Sequence, residues 1–347
     1  MSYSARNAGV NWRAKGRADM RGKVQLWMAI MTLACVAGCS GNGNKPNATP
    51  SSVSAAASPV IGAQDQAPPA QETGGFDGQK AYDYTANLVS FGPRPSGSTA
   101  IERTQDYIET QLRSDGCDVS DDPFHAQTPV GTLPMKNIFA KVPGDGKDVI
   151  LLLTHYDTKR LPDFVGADDG GSSTGLMLEM ARLLCGKKRP VAIWMAFLDG
   201  EEAVNPDWGD DDHTYGSRQM AANLQLTGMV KDVKAVLLVD MVGQKGLHIS
   251  RETTSTAWLN DLIWSTASKL GYQNVFISQS DAVDDDHDPF LALKIPSVDL
   301  IDLTDYQNEG YWHTAQDTMD KISPKSLAIV GHVVLATVDE LETKFSK

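Results

Sequence analysis

The sequence is short of cationic residues. Its 31 lysines and arginines face 44 acids, a formal charge of −13 at pH 7, and six of those cations stand within the first 23 residues. Phosphate recognition needs clustered Lys and Arg, so nucleic acid and anionic lipid are excluded as partners. No apolar run reaches the roughly 20 residues that a membrane-spanning helix requires. Heptads and internal repeats are absent. The lack of a helical His-Glu-x-x-His excludes the thermolysin type of zinc site. Cysteine is rare: Cys35, Cys39, Cys117 and Cys185 are the only four.

What is present begins with an export pattern. Arg6, Arg13, Lys15, Arg17, Arg21 and Lys23 precede an apolar stretch from Val24 to Ala37, which ends in Val36-Ala37-Gly38-Cys39. A charged start, a short apolar middle and small residues before a cut mark a secretory signal. The ending resembles the bacterial lipoprotein box, which implies a lipidated Cys39, a signal peptide over 1–39 and a place in the cell envelope, on the periplasmic side of the outer membrane. Met20 competes with Met1 as the start. Residues 40–77 are rich in Ser, Pro, Ala, Gly, Asn and Gln without apolar periodicity, and are expected to form an unfolded tether. The membrane then enters only through the lipid. Removal of the leader brings the charge to about −18. Cys117 and Cys185 remain, either as two buried thiols or as a pair in an oxidising compartment.

Residues 78–347 read as one catalytic domain. Helical spacing of apolar residues covers 79–91, 99–115, 171–185, 215–224, 256–270, 286–293 and 323–342; β-branched and aliphatic runs cover 136–142, 148–154, 191–198, 234–240 and 296–301. Continuous apolar runs such as Val149-Ile150-Leu151-Leu152-Leu153 suit strands covered on both faces. Their alternation with helices predicts an α/β fold with a largely parallel sheet. In such folds ligands gather beyond the carboxyl ends of the strands.

Those ends carry the chemistry. His155 and Asp157 follow the second run, and Asp168-Asp169 lies in a Gly-rich loop that opens a helix. Glu201-Glu202 follows the third run, Asp240 ends the fourth, and His313 lies beyond the fifth. Oxygen and imidazole donors without thiolate suit zinc ahead of cobalt or manganese. Taken singly, each residue has a plainer reading: Asp168 as a helix cap, a Glu pair as solvated surface, His213 and His248 as surface histidines. The acidic loop Asp207–Asp212 reads as a solvated face, with a calcium site as the lesser alternative.

The ordered set resembles the zinc aminopeptidase-like superfamily over about 80–345. That resemblance implies a three-layer α/β/α fold with a mixed, largely parallel sheet. It implies a zinc ligated by Asp169, Glu202 and His313, a general base at Glu201, and a possible second ion on His155 and Asp240 bridged by Asp169.

Three features resemble the animal-type glutaminyl cyclases within it. They are the insertion with Trp208 after Asp199-Gly200-Glu201-Glu202-Ala203, the run Asp285-Asp286-His287-Asp288-Pro289-Phe290, and Trp312 directly before His313. The implied activity is cyclisation of N-terminal glutamine to pyroglutamate, with Trp208 and Trp312 binding substrate. Asp286, with Asp240 behind it, is expected to hydrogen-bond Glu201. One zinc, peptide substrates beginning with Gln and a monomeric enzyme are expected. The alternative is an aminopeptidase with two zincs.

Overall fold

The computed structural model of the chain describes residues 61–209, 211–303 and 310–346. The leader, Cys39 and most of the tether lie outside these residues.

A six-stranded sheet organises the domain: β1 (Asp118–Thr128), β2 (Gly131–Val142), β3 (Val149–His155), β4 (Ala192–Leu198), β5 (Val233–Asp240) and β8 (Ser297–Ile301). Its spatial order is β1-β2-β4-β3-β5-β8, with the pairs β4-β3, β3-β5 and β5-β8 parallel and the two pairs made by β2 antiparallel. Short β6 (Ile249–Glu252) and β7 (Phe276–Asp281) pair separately.

The apolar runs alternate between two cores. Ile150, Leu152, Ile193, Met195, Leu237 and Val239 face one side. There they meet α1 (Gly78–Ser90), α2 (Thr99–Ser114), α3 (Gly171–Leu184), α5 (Ala257–Lys269) and α7 (Pro324–Phe345). Leu151, Leu153, Ala196, Val236 and Leu238 face the other side, against α4 (Tyr215–Thr227) and Phe290 of α6 (Asp288–Ala292). This is the expected three-layer arrangement, and it explains why every residue of β3 is buried.

The order also creates the site. The chain runs from β3 to β4 on one side and then to β5 on the other, so β3 lies at the point where the strand order reverses. A crevice opens there beyond the carboxyl ends, and His155 and Asp240 terminate the neighbouring strands β3 and β5.

One expectation needs correction. The tether was expected to run to 77, yet its last part is packed. Ala63–Asp65 and Ala70–Thr73 form 3-10 turns, and Phe76 is fully buried. A Cβ on Gly331 of α7 would lie 2.4 Å from the Phe76 ring, so the ring needs that glycine. One aromatic in a polar stretch is invisible to composition but buries a large apolar surface. Cys117 and Cys185, which the sequence left open between two thiols and a pair, form a disulfide with Cα atoms 4.9 Å apart, which joins the entry to β1 to the end of α3.

Where the sequence reading placed one strand over 136–142, the structure has a hairpin, with β2 beginning at Gly131 and β1 unforeseen. Strand β1 is an edge strand bearing Asp118, Asp121, Asp122 and Pro123. Acids and proline blunt an unpaired edge against association with another chain, and the same residues obscure the strand pattern.

Candidate metal centre and active cleft

Glycine conformation sets the ligand loops. Gly170 adopts φ 73°, and a Cβ there would meet the Asp157 carbonyl oxygen at 2.6 Å and the His155 ring at 2.9 Å. Only glycine lets the Asp168-Asp169 loop turn this tightly into α3. Gly200, also at φ 73°, turns the chain off β4 into Glu201-Glu202.

The tandem glutamates are held by an acid. Asp157 accepts the backbone N–H of Glu201 at 3.1 Å and that of Glu202 at 3.4 Å. The Glu202 side chain accepts the Lys159 N–H at 3.0 Å, and Lys159 Nζ stands 3.5 Å from its other oxygen. Asp317 does the same service across the cleft: its two oxygens accept the N–H groups of Asp168 (2.9 Å) and Asp169 (3.1 Å).

Asp169, Glu202 and His313 converge. His313 Nε2 lies 3.3 Å from Asp169 Oδ2 and 3.4 Å from Glu202 Oε1. Zinc bonds of about 2.0–2.1 Å in a tetrahedron imply donor–donor edges of roughly 3.3–3.4 Å, so the set fits the ion. Glu202 Oε2 is buried without a hydrogen bond. Burial disfavours a charged His313, but Asp169 and Glu202 override it and lift the imidazole to about 9. Burial likewise opposes ionisation of Asp169, yet His155 and His313 hold it well below the usual carboxylate range.

The second group is shaped differently. His155 Nε2 is 3.4 Å from Asp169 Oδ1 but 3.0 Å from Asp240 Oδ1. The shorter separation is a hydrogen bond, and Asp240 Oδ1 also accepts the Met241 N–H at 2.8 Å. His155, Asp169 and Asp240 could still enclose an ion, since their donors lie within 4.8 Å of one another.

A cavity of about 220 Å³ opens over the triad, lined by Trp208, Trp312, Met241, Val283, Ile301 and Leu303 together with the acids Glu201, Asp240, Asp284 and Asp285. Trp312 stacks on His313 with ring centroids 3.7 Å apart, and Phe164 meets the same imidazole edge-on at 5.7 Å. Trp208 stacks on His213 at 4.3 Å. Both indoles line this one cavity and keep about two-fifths of their surface exposed (38% and 40%). Burial, then Glu202, Asp285 and Asp286, push Glu201 well above the ordinary carboxylate range, against the lowering effect of His155.

With this geometry in view, the comparisons are decisive. The profile of peptidase family M28 matches residues 137–338. The chain belongs to peptidase family M28. Among solved structures it is similar to a glutaminyl cyclase from an Acidobacteriales bacterium, with 37% identity, coverage of 82% of this chain and 99% of that one, and a TM-score of 0.73. It is similar to the Porphyromonas gingivalis glutaminyl cyclase at 34% identity, covering 77% and 99% of the two chains, with a TM-score of 0.71. A mouse glutaminyl-peptide cyclotransferase-like protein is 28% identical over 314 residues, 81% of this chain and 80% of that one.

Several single-residue expectations change in this M28 chain. Asp286 makes no hydrogen bond to Glu201 among the described residues; it is fully buried, and its neighbour Asp285 lines the cavity instead. Three consecutive acids offer no sequence signal for which of them turn toward the cavity; Asp284 and Asp285 do and Asp286 does not. Asp168 caps no helix with its side chain; the carboxylate accepts the Gly243 N–H at 2.8 Å. His213 is half-buried against Trp208 rather than an ordinary surface residue. In the acidic loop Asp207 and Asp211 are exposed, as expected for a solvated face, but Asp212 is buried. Its oxygens accept Val204 N–H (3.1 Å), Asn205 N–H (2.9 Å) and the Tyr215 hydroxyl (2.7 Å). These bonds fasten Asp212 to the residues on either side of it. Asp157, Lys159 and Asp317 carried no role in the sequence reading; each works through backbone N–H groups or a neighbouring carboxylate, contacts that appear only once the loops are side by side.

Proposed function

We propose that this chain converts N-terminal glutamine of peptides into pyroglutamate and ammonia. The observation that carries the reading is the pair of half-exposed indoles, Trp208 and Trp312, flanking one Asp–Glu–His triad in a cavity that also holds Glu201. The similarity to glutaminyl cyclases supports it.

The chemistry is an intramolecular acyl transfer. A bond forms between the substrate's α-nitrogen and its side-chain carbonyl carbon, and the bond from that carbon to the amide nitrogen breaks. Glu201 takes the proton released by the α-amine and returns it to the departing nitrogen, which leaves as ammonia. Asp285, backed by Asp240, orients that proton. Asp169, Glu202 and His313 would hold one zinc per chain, and that ion would supply Lewis-acid polarisation of the side-chain carbonyl. The indoles exclude water and hold the glutamine folded on itself; for an intramolecular attack, such positioning is worth up to roughly 7–11 kcal/mol.

The aminopeptidase alternative draws on one observation, the second donor group of His155, Asp169 and Asp240. The test sets ammonia release from a Gln-initiated peptide beside cleavage of an aminoacyl anilide, with metal content measured on the same sample. Ammonia with one zinc supports the proposal; anilide cleavage with two zincs overturns it, as does a metal-free protein indifferent to chelators.

We further propose that the enzyme is a monomeric lipoprotein, exported by residues 1–39, acylated at Cys39 and facing the periplasm. The charge pattern, the apolar stretch and the Val36-Ala37-Gly38-Cys39 ending support this location. Mass spectrometry of the amino-terminal peptide from membranes tests it, with an unmodified Met1 or Met20 terminus as the contrary result.

A further inference from the structure

Gln244, four residues past the end of β5, uses both halves of its side-chain amide. The carbonyl accepts the Tyr311 hydroxyl at 2.5 Å, and the NH2 group donates to Asp302 Oδ2. The same Asp302 oxygen accepts the His248 N–H at 2.7 Å. Gln244 is itself anchored, since its backbone carbonyl accepts the Ser326 hydroxyl at 2.7 Å and its backbone bridges to Ile322. Gln244, Tyr311 and Asp302 are all buried. Asp302 follows β8, whereas Tyr311 stands two residues before His313. One neutral amide therefore ties both sides of 303–310 to the loop after β5. No carboxylate or aliphatic side chain can accept from a phenol and donate to a carboxylate at once.

His313 needs such support. Its φ of 53° is left-handed, a region disfavoured for a residue with a Cβ and maintained only where the surroundings enforce it. On its carboxyl side, Asp317 fastens the chain to Asp168 and Asp169. On its amino side stands the Tyr311–Gln244 bond.

We propose that Gln244 and Tyr311 are positioning residues that hold His313 at ligating distance from Asp169 and Glu202. This rests on the reading of those three as the zinc ligands. Replacing the partner groups that orient a metal ligand typically weakens metal binding 10- to 100-fold.

The test uses the full chain as Tyr311→Phe and Gln244→Leu. Zinc affinity is measured by competition with a chromogenic chelator, and kcat and KM for a Gln-initiated peptide at limiting and at saturating zinc. Both variants are expected to raise the zinc Kd about 10- to 100-fold, with KM at saturating zinc within about twofold of wild type. Tyr272→Phe, which loses a hydroxyl contact to His332 at 3.0 Å, serves as the control and keeps the wild-type Kd. Tyr311→Phe removes a single oxygen, so it reports even where Gln244→Leu fails to fold. An unchanged zinc Kd in Tyr311→Phe overturns the proposal, as does an equal loss in Tyr272→Phe. A wild-type chain that binds no zinc sinks the ligand assignment instead.

Discussion

His155 Nε2 and Asp240 Oδ1 are 3.0 Å apart, bonded to each other across the ends of adjacent parallel strands. A group already satisfied in this way must break a buried hydrogen bond to take a metal ion. The expected zinc content is therefore one per chain. His155→Ala is expected to keep that zinc, while His313→Ala loses it; elemental analysis of dialysed protein decides the matter.

Glu201 and Glu202 are chemically identical neighbours with different surroundings. Glu202 lies 3.4 Å from His313, whereas the Glu201 carboxylate stands 3.7 Å from His155 Nδ1 and opens on the cavity. Glu201→Gln is expected to lower kcat by about 100- to 10,000-fold, the usual weight of a general base, with zinc retained. Loss of zinc in that variant would mean that the two roles are exchanged.

Asp285 and Asp286 separate in the same manner. Asp285→Asn is expected to lower kcat about 10- to 100-fold by misplacing the proton on Glu201, and Asp286→Asn to leave it nearly unchanged. Burial first, then Asp157 and Asp240, push the Asp286 carboxyl up to about 7 from its ordinary 3.8, although Ser217 and His155 oppose them. The folded chain thus holds this proton more tightly than the unfolded one, and Asp286 costs stability as pH rises from about 4 to 7. Asp286→Asn is expected to raise the melting temperature at pH 8 but not at pH 4. A reversed pattern of activity loss would restore Asp286 to the cleft.

Glu252 works in the opposite direction. Burial raises its pKa, but His287 together with Thr254 and Ser255 overrides it and holds the carboxyl at about 2, below its ordinary 4.5. The backbone N–H of Ser255 donates at 2.6 Å and that of Thr254 at 2.8 Å. Its stabilisation is complete above pH 4.5 and is lost as pH falls toward 2. In acid titrations followed by circular dichroism, Glu252→Gln should flatten stability over that interval. An unchanged acid limb would assign the acid sensitivity elsewhere.

The large features of the molecule were legible along the chain. Strands such as 149–153 and helices such as 171–184 announce themselves because burial on both faces demands unbroken apolar runs, and a helix stripe demands its own period. That His155, Asp169, Glu202, Asp240 and His313 gather at one edge could be read in advance because parallel strands deliver their following residues there; the roles given to them and to Trp208 and Trp312 came from the family resemblance.

Tertiary packing decided the rest. Which of Asp284, Asp285 and Asp286 enters the cleft depends on the path of the chain into α6. Whether His155 meets a metal ion or Asp240 depends on a few tenths of an ångström between strands, and the burial of Phe76 depends on Gly331, 255 positions later in the numbering. Strand and helix periods are properties of neighbouring residues and survive in a linear text. Hydrogen-bond partners, shared protons and donor spacings belong to residues that only folding brings together.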